Sequence, residues 1–169
     1  MKFEVSDDEA KIIEGIITQK LILGVKTEYI SKMLRQLRDT VTEMYGPTVA
    51  AILFYHLGRV EAEKLFNLIK DINIKIDLET LLSTNGSIKR AEVKREGKLI
   101  RVRVVNTIDI PSEDRFVIEG EGAGAGCYYM RGYLEKMIEL LYNVEVECIK
   151  EVKCRFRGSE YCEYHVIVR

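Results

Sequence analysis

The chain has 169 residues, 47% of them apolar, enough to bury a sizeable core without help from disulfides. Its 26 basic side chains stand against 27 acidic ones, so no large field favours nucleic acid or an anionic membrane. The N-terminus MKFEVSDDEAKIIEG lacks a basic stretch followed by an apolar run, and no segment approaches the ~20 apolar residues that span a bilayer. These features predict a soluble, cytoplasmic protein with neither nucleic acid nor membrane as partner.

SDDEAKIIEGIITQKLILG opens with a Ser cap and an acidic first turn, then repeats Ile12, Ile13, Ile16, Ile17 and Leu21, the signature of an amphipathic helix. Residues 1–20 read as an N-terminal helical extension of one domain spanning 1–169. KTEYISKMLRQLRDTVTEMYG sets Tyr29, Met33, Leu37 and Val41 four apart and ends at Gly46-Pro47, which predicts a second helix. PTVAAILFYHLGRVEAEKLFNLIKD is apolar on nearly all sides from Val49 to Leu57 and amphipathic afterwards, so its first half is expected to be the most buried helix. DLETLLSTNG predicts a short helix ending near Asn85-Gly86.

The period then changes. Leu99, Arg101, Arg103 and Val105 alternate with Ile100, Val102 and Val104, which predicts a hairpin with its turn at Glu96-Gly97. After Pro111 come a strand RFVIE, the glycine-rich GEGAGAG, and a helix CYYMRGYLEKMIELLY with apolar Tyr133, Met137, Leu140 and Leu141. VEVECIKEV and YCEYHVIVR read as a final strand pair around Arg157-Gly158-Ser159. The fold class is therefore α+β, N-terminal helices packed on an antiparallel sheet that one helix interrupts.

All four cysteines, Cys127, Cys148, Cys154 and Cys162, lie in the C-terminal part. In a reducing compartment such clustering points to metal or catalysis. Cys154 and Cys162 flank a reversal, which brings two thiols to a hairpin mouth as half a zinc site. Glu151, three residues before Cys154, would face the opposite way on a regular strand, and joins the thiols only if the strand bends between them. Cys127 stands at the start of a helix, where the dipole favours thiolate. Three thiolates and one carboxylate fill a tetrahedral Zn2+ site and leave no open position, so the metal would be structural. His165 is a rival ligand, but alternation sets it opposite Cys162; the same alternation assigns Cys148 to the core. The alternative is that these are ordinary buried cysteines.

Residues 120–125, GEGAGA, also fit a dinucleotide-binding pattern, with Glu145 or Glu147 beyond the helix as ribose partner. No further βαβ units follow, which weighs against it. His56 reads as a packed, hydrogen-bonded residue. Phe54, Tyr55, Tyr128, Tyr129 and Tyr133 are candidates to line an apolar ligand pocket between the helix from Pro47 and the one from Cys127, with Ala50, Ala51 and Gly58 leaving room. The alternative is that they form core.

The stretch from Cys127 to Val168 resembles the C-terminal signature of the 4-vinyl reductase domain family: Cys127, Gly132-Tyr133-Leu134 early in a helix, Glu151-Val152-Lys153-Cys154, Gly158 as a turn, and Cys162 before alternating strand residues. Upstream, YGPTVAAILFYHLGR is similar to the family's buried helix ending in Leu-Gly-Arg. The resemblance implies a structural zinc on Cys127, Glu151, Cys154 and Cys162 beside a ligand pocket, as in effector-sensing domains of aromatic-responsive transcription activators. It also implies a fold similar to Golgi-transport tethering subunits and a homodimer. The chain departs from those sensors in having no tryptophan to offer an aromatic ligand. The expected function is a zinc-stabilised sensor or carrier domain for an apolar or aromatic small molecule. The alternatives are a vinyl-group reductase or its accessory in tetrapyrrole metabolism, and a structural interaction module.

Overall fold

A computed structural model describes residues 36–84, 88–106, 117–118, 121–122 and 125–169, with the backbone alone at 106, 117–118, 121–122, 125–127 and 156. The expected extension at 1–20 and the first helix lie outside these residues. Residues 36–45 form α1, the C-terminal part of the expected second helix. It stops at Gly46, whose φ of 85° and ψ of 165° belong to a region open essentially to glycine alone. Pro47 then starts α2, Pro47–Asp71, at a position where a missing N–H costs nothing.

Only one face of α2 is covered, through Ala50, Ala51, Phe54, Gly58 and Ala62. Val49 is 45% exposed and Ile52 55%, so the expectation that this first half is the most buried helix is corrected. That place belongs to α4, Ala125–Tyr142, whose Tyr133, Leu134, Met137 and Ile138 are at most 2% exposed. The reason is position: α4 packs on both α2 and the sheet. Asn143, left-handed at φ 51°, ends α4, and the Val144 N–H returns to the Glu139 carbonyl at 3.3 Å. Between these two helices in sequence lies α3, Leu78–Ser83, capped by the Asp77 side chain on Thr80 N at 2.7 Å.

The expected hairpin forms as β1, Ile88–Glu96, and β2, Leu99–Asn106, turning at Gly97 with φ 61°. The final pair forms as β5, Val146–Lys153, and β6, Cys162–Val168. Together they make an antiparallel sheet in the order β1-β2-β6-β5. Register builds rows across it. One inward row runs Val93, Val102, Tyr164, Glu151, and the next runs Ala91, Val104, Cys162. Ile100, Val102, Val104, Tyr164 and Val166 are all nearly inaccessible, the mark of a sheet with one covered face.

Two short strands, β3 at Val117–Ile118 and β4 at Glu121–Gly122, pair with each other outside this sheet. A dinucleotide site needs parallel strands on either side of its helix. Here the described strand before α4 lies in a different sheet from β5, and β5 is antiparallel to its neighbour.

Candidate functional site

The first candidate centre lies where β5 and β6 meet. Cys162 opens β6 on the inward face, beside Val104. On β5, Glu151 faces inward opposite Tyr164, and the register slips between Glu151 and Lys153. That bulge supplies the bend that the odd spacing required, because the extra residue lets Glu151 and Cys154 share one side of the strand. A 3-10 turn at Arg155–Arg157 and left-handed Gly158, φ 87°, then reverse the chain. Arg157 N and Ser159 N both donate to the Cys154 carbonyl, at 3.0 and 3.3 Å.

As a result the ligand atoms of Glu151, Cys154 and Cys162 all lie within 4.8 Å of one another. Both thiols are 2% exposed, and both Glu151 carboxylate oxygens are shielded from solvent. The Arg155 N–H donates to Cys162 Sγ at 3.4 Å, a contact that stabilises thiolate. Two thiolates and a carboxylate suit zinc better than magnesium or calcium, which prefer all-oxygen sites. Cys127 is the third residue of α4, and its side chain is outside the described positions. His165 points to the other face of the sheet and hydrogen-bonds Glu163 at 2.9 Å. Cys148 is exposed, which corrects its assignment to the core. The cause is another bulge, between Val146 and Cys148, which turns Cys148 outward opposite exposed Ile167 and leaves Ile149 as the buried residue.

The second candidate is the contact between α2 and α4. Its backbones touch: a Cβ at Gly132 would collide with the Tyr55 carbonyl, and one at Gly58 with the Tyr129 carbonyl while coming within 2.8 Å of Tyr133 N. Gly58 therefore serves close approach rather than leaving room for a ligand. Phe54 and Tyr133 are packed in the core, and Tyr129 donates its hydroxyl to Glu61. Burial first and Glu61 second push the Tyr129 and Tyr133 hydroxyls well above the usual tyrosine range.

What remains open is a groove of about 350 Å3 lined by Thr48, Ala51, Ile52, Tyr55, His56, Tyr128 and Arg131. Of the five aromatic residues singled out from sequence, it gathers Tyr55 and Tyr128. Tyr55 donates to Glu135, which also pairs with Arg59, and Arg59 reaches Glu139 at 3.3 Å. Burial, then the Glu135 hydrogen bond, push the Tyr55 hydroxyl up to about 12, so it stays a donor. His56 is exposed rather than packed, and its ring meets that of Tyr55 edge-on at 6.1 Å. Sequence alone marked Arg59 only as the end of the Leu-Gly-Arg segment and gave Arg131 and Glu135 no role. Their signal was charge recurring within helices otherwise read for their apolar positions.

With this geometry in view, the chain can be set beside solved proteins. A vinyl-4-reductase family protein from Methanocaldococcus jannaschii matches with a TM-score of 0.55 and 15% identity, over 100% of this chain and 99% of that one. The fold is vinyl-4-reductase-like. A trafficking protein particle complex subunit 3 from Naegleria fowleri, covalently bound to palmitic acid, matches with a TM-score of 0.58 and 11% identity, over 86% of this chain and 96% of that one. The phenol-responsive sensory domain of the transcription activator PoxR matches with a TM-score of 0.48 and 15% identity, over 82% and 74%. No family model and no curated protein sequence matches the chain. Among the described residues no helix is long and apolar enough to cross a membrane.

Proposed function

We propose that this protein is a zinc-stabilised small-molecule-binding domain, a sensor or carrier for an apolar or aromatic ligand, working as a cytoplasmic homodimer. The observation that carries the ligand reading is the groove between α2 and α4, whose size falls in the range of small-molecule sites and whose lining mixes apolar surface with a few polar groups. That the similar trafficking subunit is bound to palmitic acid supports an apolar ligand on this fold. Calorimetric titration with the neutral aromatic 2-naphthol tests it. Saturable binding at one class of site is expected, lost in Thr48→Phe, which fills the mouth from an exposed position and should alter stability by less than about 0.5 kcal/mol. Binding that survives the substitution unchanged would move the ligand elsewhere.

The metal is assigned to Glu151, Cys154 and Cys162, with Cys127 as fourth ligand from the first turn of α4. Zinc held there would tie the terminal hairpin to the helix that walls the groove. Elemental analysis of protein purified without chelator should find one zinc per chain, and its removal by a strong chelator should lower the melting temperature. For the second copy, the exposed Met44, Tyr45 and Val49 at the corner between α1 and α2 offer an apolar face.

A further inference from the structure

We propose that the outer face of the sheet is a docking surface for an amphipathic helix of a partner protein, whose acidic stripe lies across the strands on Lys94, Arg101, His165 and Lys150. Register sets these four residues opposite one another, one on each of β1, β2, β6 and β5. The row on one side of them, Glu92, Arg103, Glu163 and Lys153, alternates in charge from strand to strand. Arg103 bonds both of its glutamate neighbours there, Glu163 at 2.8 Å and Glu92 at 3.5 Å. Such alternation stabilises a sheet, whereas like charges directly opposite, as at Lys94 and Arg101, oppose it. One row thus serves the sheet itself, and the row next to it does not.

The basic row is held by surface contacts. Lys94, 60% exposed, pairs with Glu92 at 2.8 Å, and Arg101 pairs with Glu96, 55% exposed, at 2.9 Å. Ion pairs this open contribute little, so a partner's carboxylates can take them over. Lys150 is exposed and has no carboxylate within ion-pair distance among the described residues. On the other side of the basic row, Leu99, Ile167 and Cys148 stand in register, with Ile167 43% exposed. Adjacent strands are about 4.8 Å apart, close to the about 5.4 Å pitch of a helix, so carboxylates one turn apart meet successive strands. Same-face residues of an extended peptide stand about 7 Å apart and miss that match. Apolar side chains beside the acidic stripe then meet Leu99 and Ile167. A nucleic acid fits this face less well, because its phosphates gain nothing from the apolar row and are repelled by Glu92 and Glu96.

The test is fluorescence anisotropy of a labelled, alanine-rich helical peptide of about 18 residues, with glutamates on one stripe and leucines on the stripe beside it, titrated with the full chain at low salt. A control peptide has glutamine in place of each glutamate. The glutamate peptide should bind saturably and about tenfold tighter than the control or more, with the difference shrinking as salt is raised. Lys94→Gln combined with Lys150→Gln should remove most of that difference, and Ile167→Ser should weaken both peptides. Lys64→Gln combined with Lys70→Gln, on α2, should change neither. All five positions are exposed, so the variants should keep the fold. Equal affinity for the two peptides, binding of neither, or equal losses in the two double variants would overturn the proposal. Tighter binding of an oligothymidylate of about 20 nucleotides, lost in the Lys94 and Lys150 variant, would overturn it in favour of nucleic acid.

Discussion

Cys148, Cys154 and Cys162 show how little residue type alone decides. The last two are buried within reach of one carboxylate, and the first is exposed immediately before buried Ile149 on the same strand. If zinc is held there, Cys154→Ser or Cys162→Ser should lower the melting temperature by about 10 °C, because lost metal-binding energy would be lost folding energy. Cys148→Ser should move it by no more than a degree or two in the same thermal scan. On the outer face, Glu163 is 6% exposed. Burial alone would raise its carboxyl, but hydrogen bonds with His165 at 2.9 Å and from Arg103 at 2.8 Å outweigh burial and hold it below the usual carboxylate range. A lowered folded-state pKa contributes stability that is present above the unfolded value and lost as pH falls through the folded one. Glu163→Gln should therefore have a lower urea midpoint than the parent at pH 7, with the gap closing in acid below the ordinary carboxylate range. A gap that widened there would contradict the assignment. That Cys154 and Cys162 would meet was legible in the chain reversal between them, and Glu151 only conditionally, since its spacing required the bend that the register slip supplies. The outward turn of Cys148 was not, because it depends on which residue of β6 each residue of β5 faces.

At the scale of elements, the hairpin and the terminal strand pair follow from strict alternation, and α4 from its apolar stripe, so all three were visible in the sequence. Less visible was how α2 and α4 meet. A glycine in a helix reads as a weak point or as space, whereas Gly58 and Gly132 here let two backbones touch. Gly58→Ala or Gly132→Ala should gain about 1 kcal/mol of helix propensity. The same change forces the helices apart, at a cost of about 3 kcal/mol or more where the obstacle is backbone and cannot rotate away. The net effect should be a lower denaturation midpoint for either variant, and a higher one would mean the helices are not in contact as described. Burial of α2 was overestimated for a related reason: Val49 and Ile52 are as apolar as Phe54, and only the position of α4 separates covered from exposed.

For the whole molecule, the α+β class and the helices-then-sheet order were read from the sequence alone, since changes of hydrophobic period mark them. How the molecule would meet a second copy is not a periodic signal. If Met44, Tyr45 and Val49 form that contact, Met44→Lys with Tyr45→Lys should convert a two-chain mass to a one-chain mass in sedimentation, with little change in thermal stability of the monomer. A mass unchanged by both substitutions would move the interface off this corner. The strand irregularities matter here in another way. β2 and β6, in the middle of the sheet, pair without a break from Leu99 opposite Ile167 to Val104 opposite Cys162. Every slip in register falls on an outer strand, one on β1 and two on β5. An outer strand with a straight row of unused backbone groups is a template on which other chains can assemble into aggregates. Bulges twist that row out of line, and the charges of Lys150 and Lys153 add repulsion. The bend at Glu151/Lys153 that brings the carboxylate to the side of the two thiols thus also disfavours the addition of another strand along β5.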